Sequence, residues 1–328
     1  MTAAIEKETR TGNITLAALR RVPRSVWPML AFVVLFLVGG LLRPNLVSVD
    51  SLVGTATFAM ILAIASFGQT VVVIQAGIDL SVPNTIAFAA LSFLTWSGTI
   101  GPVLACLASI LSGAVIGSIN GTIVAKLGLT PIVTTIAMNG LLFGVVLLSF
   151  KNSELTDIPE FLTAITAGKV EVFGTSIAAV LPLGLVLLLV LQLILSYTGW
   201  GRSLFVVGSA SETARLAGLP VDRIRISAYA LNGALVAFAG VVIVGFYGQA
   251  FATMGAPYLL GSVAAVVVGG STIFGGRGSV VGTLGGALVL GQVATLVNIA
   301  NLGSNIQQLF YGVIVLLVVA LYSRRTRE

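Results

Sequence analysis

Long apolar runs dominate this sequence. Between Asp50 and Lys126 a single charged side chain, Asp79, interrupts Val, Ile, Ala, Leu, Phe, Gly and small hydroxyl residues. A helix needs about 20 apolar residues to cross a bilayer, and continuous blocks of that length recur to the C-terminus. A transmembrane barrel would instead show short alternating strands. The reading is an all-α, polytopic transmembrane bundle. Ten spans are predicted, at 26–42, 52–75, 83–98, 101–124, 131–150, 177–197, 225–248, 257–273, 279–299 and 305–322. Only 9% of the 328 residues are charged, against about 25% in a soluble domain. Such a chain has too little polar surface to be covered by water.

The basic residues orient the bundle. With the N-terminus placed in the cytoplasm, inside segments hold fourteen of the seventeen Lys and Arg, leaving Arg43, Lys151 and Lys169 outside. Both termini are then cytoplasmic. No small-residue cleavage site follows the first apolar run, which ends Leu42-Arg43-Pro44, so residues 1–25 are taken as a cytoplasmic tail and not as part of a signal peptide. Residues 26–323 form one membrane domain, with an external loop at 151–176 and a cytoplasmic loop at 198–224. Residues 324–328 form a short cytoplasmic tail. The net charge of +6 sits at span ends and gives no nucleic-acid signal.

Several chemistries are disfavoured by composition. The chain has no His and one Cys, Cys106, so no Ser-His triad, His-based metal site or intrachain disulfide is available. "GGSTIFGGRGS" (269–279) has Gly276 where a Walker A loop requires Lys after its second Gly. No metal or nucleotide site is expected in this chain, and no enzyme activity.

The 198–224 loop carries local structural signals. Ser209 and Glu212 have capping-box spacing. Gly218 suits a left-handed C-terminal position, and Pro220 blocks continuation. A helix of about two turns is predicted over 210–217, with Ala210, Thr213, Ala214 and Ala217 on its small side and Glu212 and Arg215 elsewhere. It is either a docking element for another protein or an amphipathic connector lying on membrane lipid.

Polar residues within spans include Gln69, Gln75, Asn84, Asn120, Asn139, Asn232 and Gln292. Hydrogen bonding between helices is their default role, and some could line a path for a polyhydroxylated solute. Asp79 admits three explanations. It lies near a cytoplasmic interface at a break marked by Gly77 and Pro83, or supports a helix start with Ser81 as N-cap, or couples transport to an ion gradient. "S-V-x-x-T" recurs at Ser81 and Ser279, an offset of 198 residues, too short a match to build on.

Four segments together resemble a known family. "AGIDLSV", "GSINGTIVAKLGLTPIVTTIAMNGLLFG" (117–144), "GRSLFVVGSASETARLAGLPVDRIRISAYALNGALVAFAGVV" (201–242) and "GGSTIFGGRGSVVGTLGGALVLG" (269–291) occur in that order. They resemble the permease subunits of ribose/xylose/galactoside-type bacterial ABC importers. The resemblance implies a multi-pass protein of the bacterial inner membrane that imports a monosaccharide or related polyol. It implies three partners: a cytoplasmic ATP-binding subunit that holds ATP and Mg, an external sugar-binding protein, and a second permease copy or sister permease. Segment 209–218 corresponds to the family's coupling helix. The family often has Asn at Ala210, Ala at Thr213 and Gly-Ser at Pro83-Asn84. The rival reading is an ion-coupled secondary transporter using Asp79.

Overall fold

The computed structural model describes residues 26–150, 158–172 and 174–325. The predicted terminal tails, apart from Arg324 and Arg325, and residues 151–157 of the external loop lie outside these. The long helices are α1 (Val26–Leu42), α2 (Val49–Ile74), α3 (Val82–Ile100), α4 (Pro102–Lys126) and α5 (Pro131–Phe150). A short α6 (Glu160–Thr166) and two strands, β1 (Lys169–Val172) and β2 (Thr175–Ala178), follow. Then come α7 (Val180–Tyr197), α8 (Gly199–Ser209), α9 (Ser211–Leu216), α10 (Val221–Tyr247), α11 (Tyr258–Val268), α12 (Val280–Ile299) and α13 (Gly303–Arg325). Six of them, α2, α4, α5, α7, α10 and α12, are long and apolar enough to cross a membrane. The protein is an α-helical, polytopic membrane bundle.

Burial is arranged as a membrane demands. α2 is enclosed on nearly all sides, and α10 and α12 on most; α4, α5 and α7 turn most of their surface outward. The outward faces carry Leu107, Leu111 and Val115 on α4 and Leu185, Val186 and Leu189 on α7. In water such apolar faces would be a liability; against lipid they are the proper surface.

Two predicted elements differ. The span at 257–273 is helical only over α11, about 16 Å at 1.5 Å per residue. Hydropathy continued across Gly269-Gly270, but Gly270 adopts φ +88° and the helix closes there. The Ser271 amide donates to the Val266 carbonyl at 3.2 Å and the Gly270 amide to Val267 at 3.0 Å. The segment from 269 to 279 continues as irregular backbone. The external loop also departs from an all-α reading. β1 and β2 form an antiparallel hairpin pairing Lys169 with Ala178 and Val172 with Thr175, so the predicted span start at 177 becomes strand. Before it, α6 buries Leu162 and Thr166 against Gly245 of α10.

The tightest packing joins α4 to α10. Gly113, Gly117 and Gly121, four residues apart, face Gly233, Tyr229 and Ile226 of α10. A Cβ on Gly117 would strike the Tyr229 carbonyl, and one on Gly121 would lie 2.8 Å from the Ile226 Cα. Small residues at four-residue spacing let helix backbones meet in lipid, where dispersion and not water exclusion holds helices together.

The repeated "S-V-x-x-T" occupies equivalent places. Ser81 precedes α3 and Ser279 precedes α12, and each serine carbonyl accepts from the amide and hydroxyl of the threonine four residues on, Thr85 or Thr283. The second of these ends is tied to α2, where Thr70 Oγ1 lies 2.6 Å from Thr283 Oγ1.

Gly117→Val should separate α4 from α10 and destabilise the fold by about 1–3 kcal/mol or more. Gly140→Ala on α5, where a Cβ meets nothing within 4 Å, should be silent. Thermal unfolding of the detergent-solubilised chain, followed by size-exclusion fluorescence, distinguishes the two.

Candidate functional site

α2 ends with its carbonyls turned back on two amides. The Gly77 amide donates to Val72 and the Ala76 amide to Val73, both at 2.9 Å. The left-handed residue is Ala76, φ 64°, and not Gly77. Gly77 is needed for a different reason: a Cβ there would lie 2.7 Å from the Tyr229 hydroxyl.

Asp79 follows in the short segment before α3 and is 2% exposed. Its Oδ1 accepts from the Ser81 amide at 2.8 Å and the Ser81 hydroxyl at 2.6 Å. Its Oδ2 accepts from Asn232 Nδ2 on α10 at 2.7 Å. Asn120 Nδ2 on α4 donates to Ser81 Oγ at 3.1 Å. Gln69 on α2, with its amide oriented to satisfy both groups, bridges the Asp79 carbonyl and amide at 3.2 Å each. Ser81 stands at the N-cap position, but its hydroxyl caps nothing, being committed to Asp79.

Four of the sequence candidates therefore converge: Gln69, Asp79, Asn120 and Asn232. Asn84 and Asn139 form a separate pair joining α3 to α5, with Asn84 Nδ2 donating to the Asn139 carbonyl at 2.9 Å and to its Oδ1 at 3.0 Å. Gln75 is buried, and neither of its amide atoms is bonded. Gln292 on α12 is also buried, away from this cluster. Sequence reasoning missed Thr135 of α5, whose Oγ1 accepts from the Leu80 amide at 2.9 Å. Threonines are common enough that nothing marked this one.

Among the described residues no cation pairs with Asp79. Among the described residues the ion pair is Arg215–Asp222, at 2.8 Å. No group of three metal-ligating side chains occurs among them either. The cluster binds a helix break together from three helices; it presents no nucleophile and base.

The cytoplasmic-loop helix, α9, is shorter than predicted and its start is different. Ser209 is the last residue of α8, and its hydroxyl donates to the Phe205 carbonyl at 2.9 Å, so no capping box forms with Glu212. Ala210 takes the N-cap position without a side-chain bond. The C-terminal end follows the sequence: Gly218 has φ +82°, its amide donates to Arg215, and the Leu219 amide donates to Ala214, each at 3.0 Å. Ala214 is fully buried against the chain's own core, so it is not part of an open small face. The outward residues are Glu212, Thr213, Arg215, Leu216 and Ala217. Leu216 is 89% exposed. Arg215 Nη2 donates to Asp222 Oδ1 and fastens α9 to the first turn of α10.

Residues 51–319 match the family described as "Branched-chain amino acid transport system / permease component". The chain belongs to this permease family. The permease is 33% identical over 248 residues to the Autoinducer 2 import system permease protein LsrC of Escherichia coli (strain SMS-3-5 / SECEC), covering 75% of this chain and 71% of that protein. It is also 33% identical to LsrC of Salmonella typhimurium, covering 75% and 70%. To LsrD of Photorhabdus laumondii it is 32% identical over 237 residues, 70% of each chain. The permease is thus a transport component of a bacterial cytoplasmic membrane and not an enzyme.

Asp79→Asn should lower folded yield and melting temperature, because an amide nitrogen would face the donors Ser81 or Asn232. Loss of charge-assisted bonds corresponds to about 1.5–3 kcal/mol, read by thermal unfolding in detergent. A variant of wild-type stability would contradict this structural role.

Proposed function

We propose that the permease carries a monosaccharide or related polyol inward, driven by a separate ATP-binding subunit that grips α9. An external binding protein delivers the solute, and a second permease copy or a sister permease completes the pathway. The permease itself holds no nucleotide.

Ten crossings fit this arrangement, with both termini in the cytoplasm. α11 and the irregular segment after it together make the eighth crossing. Tyr258, at the start of α11, lines the same cavity as Tyr247 at the end of α10, whereas Gly276 packs on Ser209 at the end of α8. Irregular backbone at membrane depth is tolerated where protein encloses it, and here the Gly276 amide donates to the Ile74 carbonyl at 2.8 Å.

The observation that carries the docking role is Leu216. A leucine left 89% exposed on a short helix, at the basic end of α10 with Arg223 and Arg225, lacks a partner among the described residues. Gly208, just before α9, lies against both the Ile74 carbonyl and the Gly276 amide. A push on α9 therefore has a backbone route to the end of α2 and the Asp79 segment. The three hydrogen bonds that the Asp79 carboxylate accepts within the chain support a structural role over ion coupling.

Leu216→Asp should leave insertion and folded yield unchanged while reducing co-purification of the ATP-binding subunit by about tenfold, as loss of a buried apolar anchor predicts. Ala214→Glu instead places a charge in the core and tests folding. In proteoliposomes containing the permease, its ATPase and its binding protein, uptake should require ATP and survive a protonophore. The solute panel should include D-ribose, D-xylose and D-galactose, with autoinducer 2 and L-leucine alongside them. Uptake that persists without ATP and collapses with the protonophore would overturn the ATP-driven reading.

A further inference from the structure

At the end of the bundle opposite α9 lies a cavity of about 330 Å³, enclosed by the N-terminal half of α2, the end of α10, the start of α11, the end of α12 and α13. α10 alone separates this cavity from α9 by 27 residues, about 40 Å of helix. The volume falls near the lower end of the range for small-molecule sites, about 300–1,000 Å³.

The chemistry of the walls is specific. Five aromatic rings contribute, with Tyr247 partly open at 43% exposure and Tyr258 buried at 9%. Four carboxamides also line it: Gln249, Asn298, Gln307 and Gln308. Gln307 is committed, its Nε2 donating to the Tyr311 hydroxyl at 2.7 Å. Gln249 and Asn298 stand exposed and Gln308 half-buried. Among the described residues no charged side chain lines the cavity.

Three ligand classes can be compared against these walls. An ion buried here would have no countercharge. A wholly apolar molecule would pack on the rings but cover the half-buried Gln308 carboxamide without pairing it. A neutral polyol satisfies both surfaces: each hydroxyl donates and accepts, as each carboxamide does, and the C–H face of a sugar ring packs on an aromatic plane. We infer that this cavity is an outward-side station in the permease that holds one neutral polyol. The inference rests on the import reading above and adds a solute site within this chain, separate from the Asp79 cluster.

The test uses the full chain with its ATPase in nanodiscs, without binding protein. Gln249→Cys is introduced at the cavity mouth on a Cys106→Ser background and labelled with a membrane-impermeant maleimide. D-Ribose, D-xylose and D-galactose are the probes; L-leucine and inorganic phosphate are the controls. At least one sugar should slow labelling about fivefold or more at saturation, and neither control should. Adding Gln308→Leu should raise the half-protecting sugar concentration about tenfold, as loss of one buried hydrogen bond to a ligand does, with ATPase co-purification unchanged. If no sugar protects, or if lipid alone blocks labelling whatever sugar is present, the inference fails. Protection by leucine or phosphate in place of sugar would overturn the ligand class. Uptake is scored separately. Sugar uptake without protection leaves the import reading standing and removes this site, whereas protection without uptake of any sugar keeps the site and removes the proposed cargo.

Discussion

Hydrocarbon offers no hydrogen bonds, so wherever a helix stops inside this bundle the chain must close its own backbone. The segment between α2 and α3 shows how completely this is met. Gln69 bridges the amide and carbonyl of Asp79, Thr135 takes the Leu80 amide, and the Asp79 carboxylate takes the Ser81 amide. Between Val268 and Val280 the same need is met by backbone. The Thr272 amide donates to the Arg277 carbonyl at 3.1 Å, and the Gly276 amide to Ile74. Each break is also tied to a helix it does not interrupt, the first to α5 through Thr135 and the second to α2 through Ile74.

Those ties explain why polar residues are tolerated at the centre of an apolar protein. A lone carboxylate is costly in a membrane. It is held here by three donors, two from Ser81 and one from Asn232. The donors come from opposite parts of the chain, so the cluster locks the short segment after α2 onto α10 and, through Asn120, onto α4.

Much of this was legible in the sequence, because hydropathy and helix-stop signals are local. The apolar runs placed the long helices, Gly77 and Pro83 bracketed the first break, and Gly218 marked the end of α9. Other features depend on what packs alongside. The contact between Asp79 and Asn232 spans 153 residues, which a single sequence does not encode visibly. The Ser209 capping pattern lost to the continuation of α8, which committed the hydroxyl to Phe205. Ala214 was assigned to an open small face by composition, but which side of a two-turn helix meets the core is a tertiary matter. The left-handed turn fell on Ala76 and not on the adjacent glycine, whose lack of a Cβ instead makes room for the Tyr229 hydroxyl. The four-residue spacing of Gly113, Gly117 and Gly121 went unread in the sequence, because a glycine row becomes a packing motif only once its partner, here α10, is known.

The α4–α10 contact constrains how such a transporter can move. Backbone lies on backbone at Gly117 and Tyr229, and at Gly113 and Gly233, leaving no side-chain layer to shear. Sliding or rolling one helix past the other would drive carbonyls into Cα atoms, so the pair travels as a rigid body. Any bending within the chain is then left to the places where the helical ladders are already interrupted, at 76–81 and 269–279. The two breaks meet at the Ile74 carbonyl beside Gly208, so the α8–α9 corner bears on both at one point.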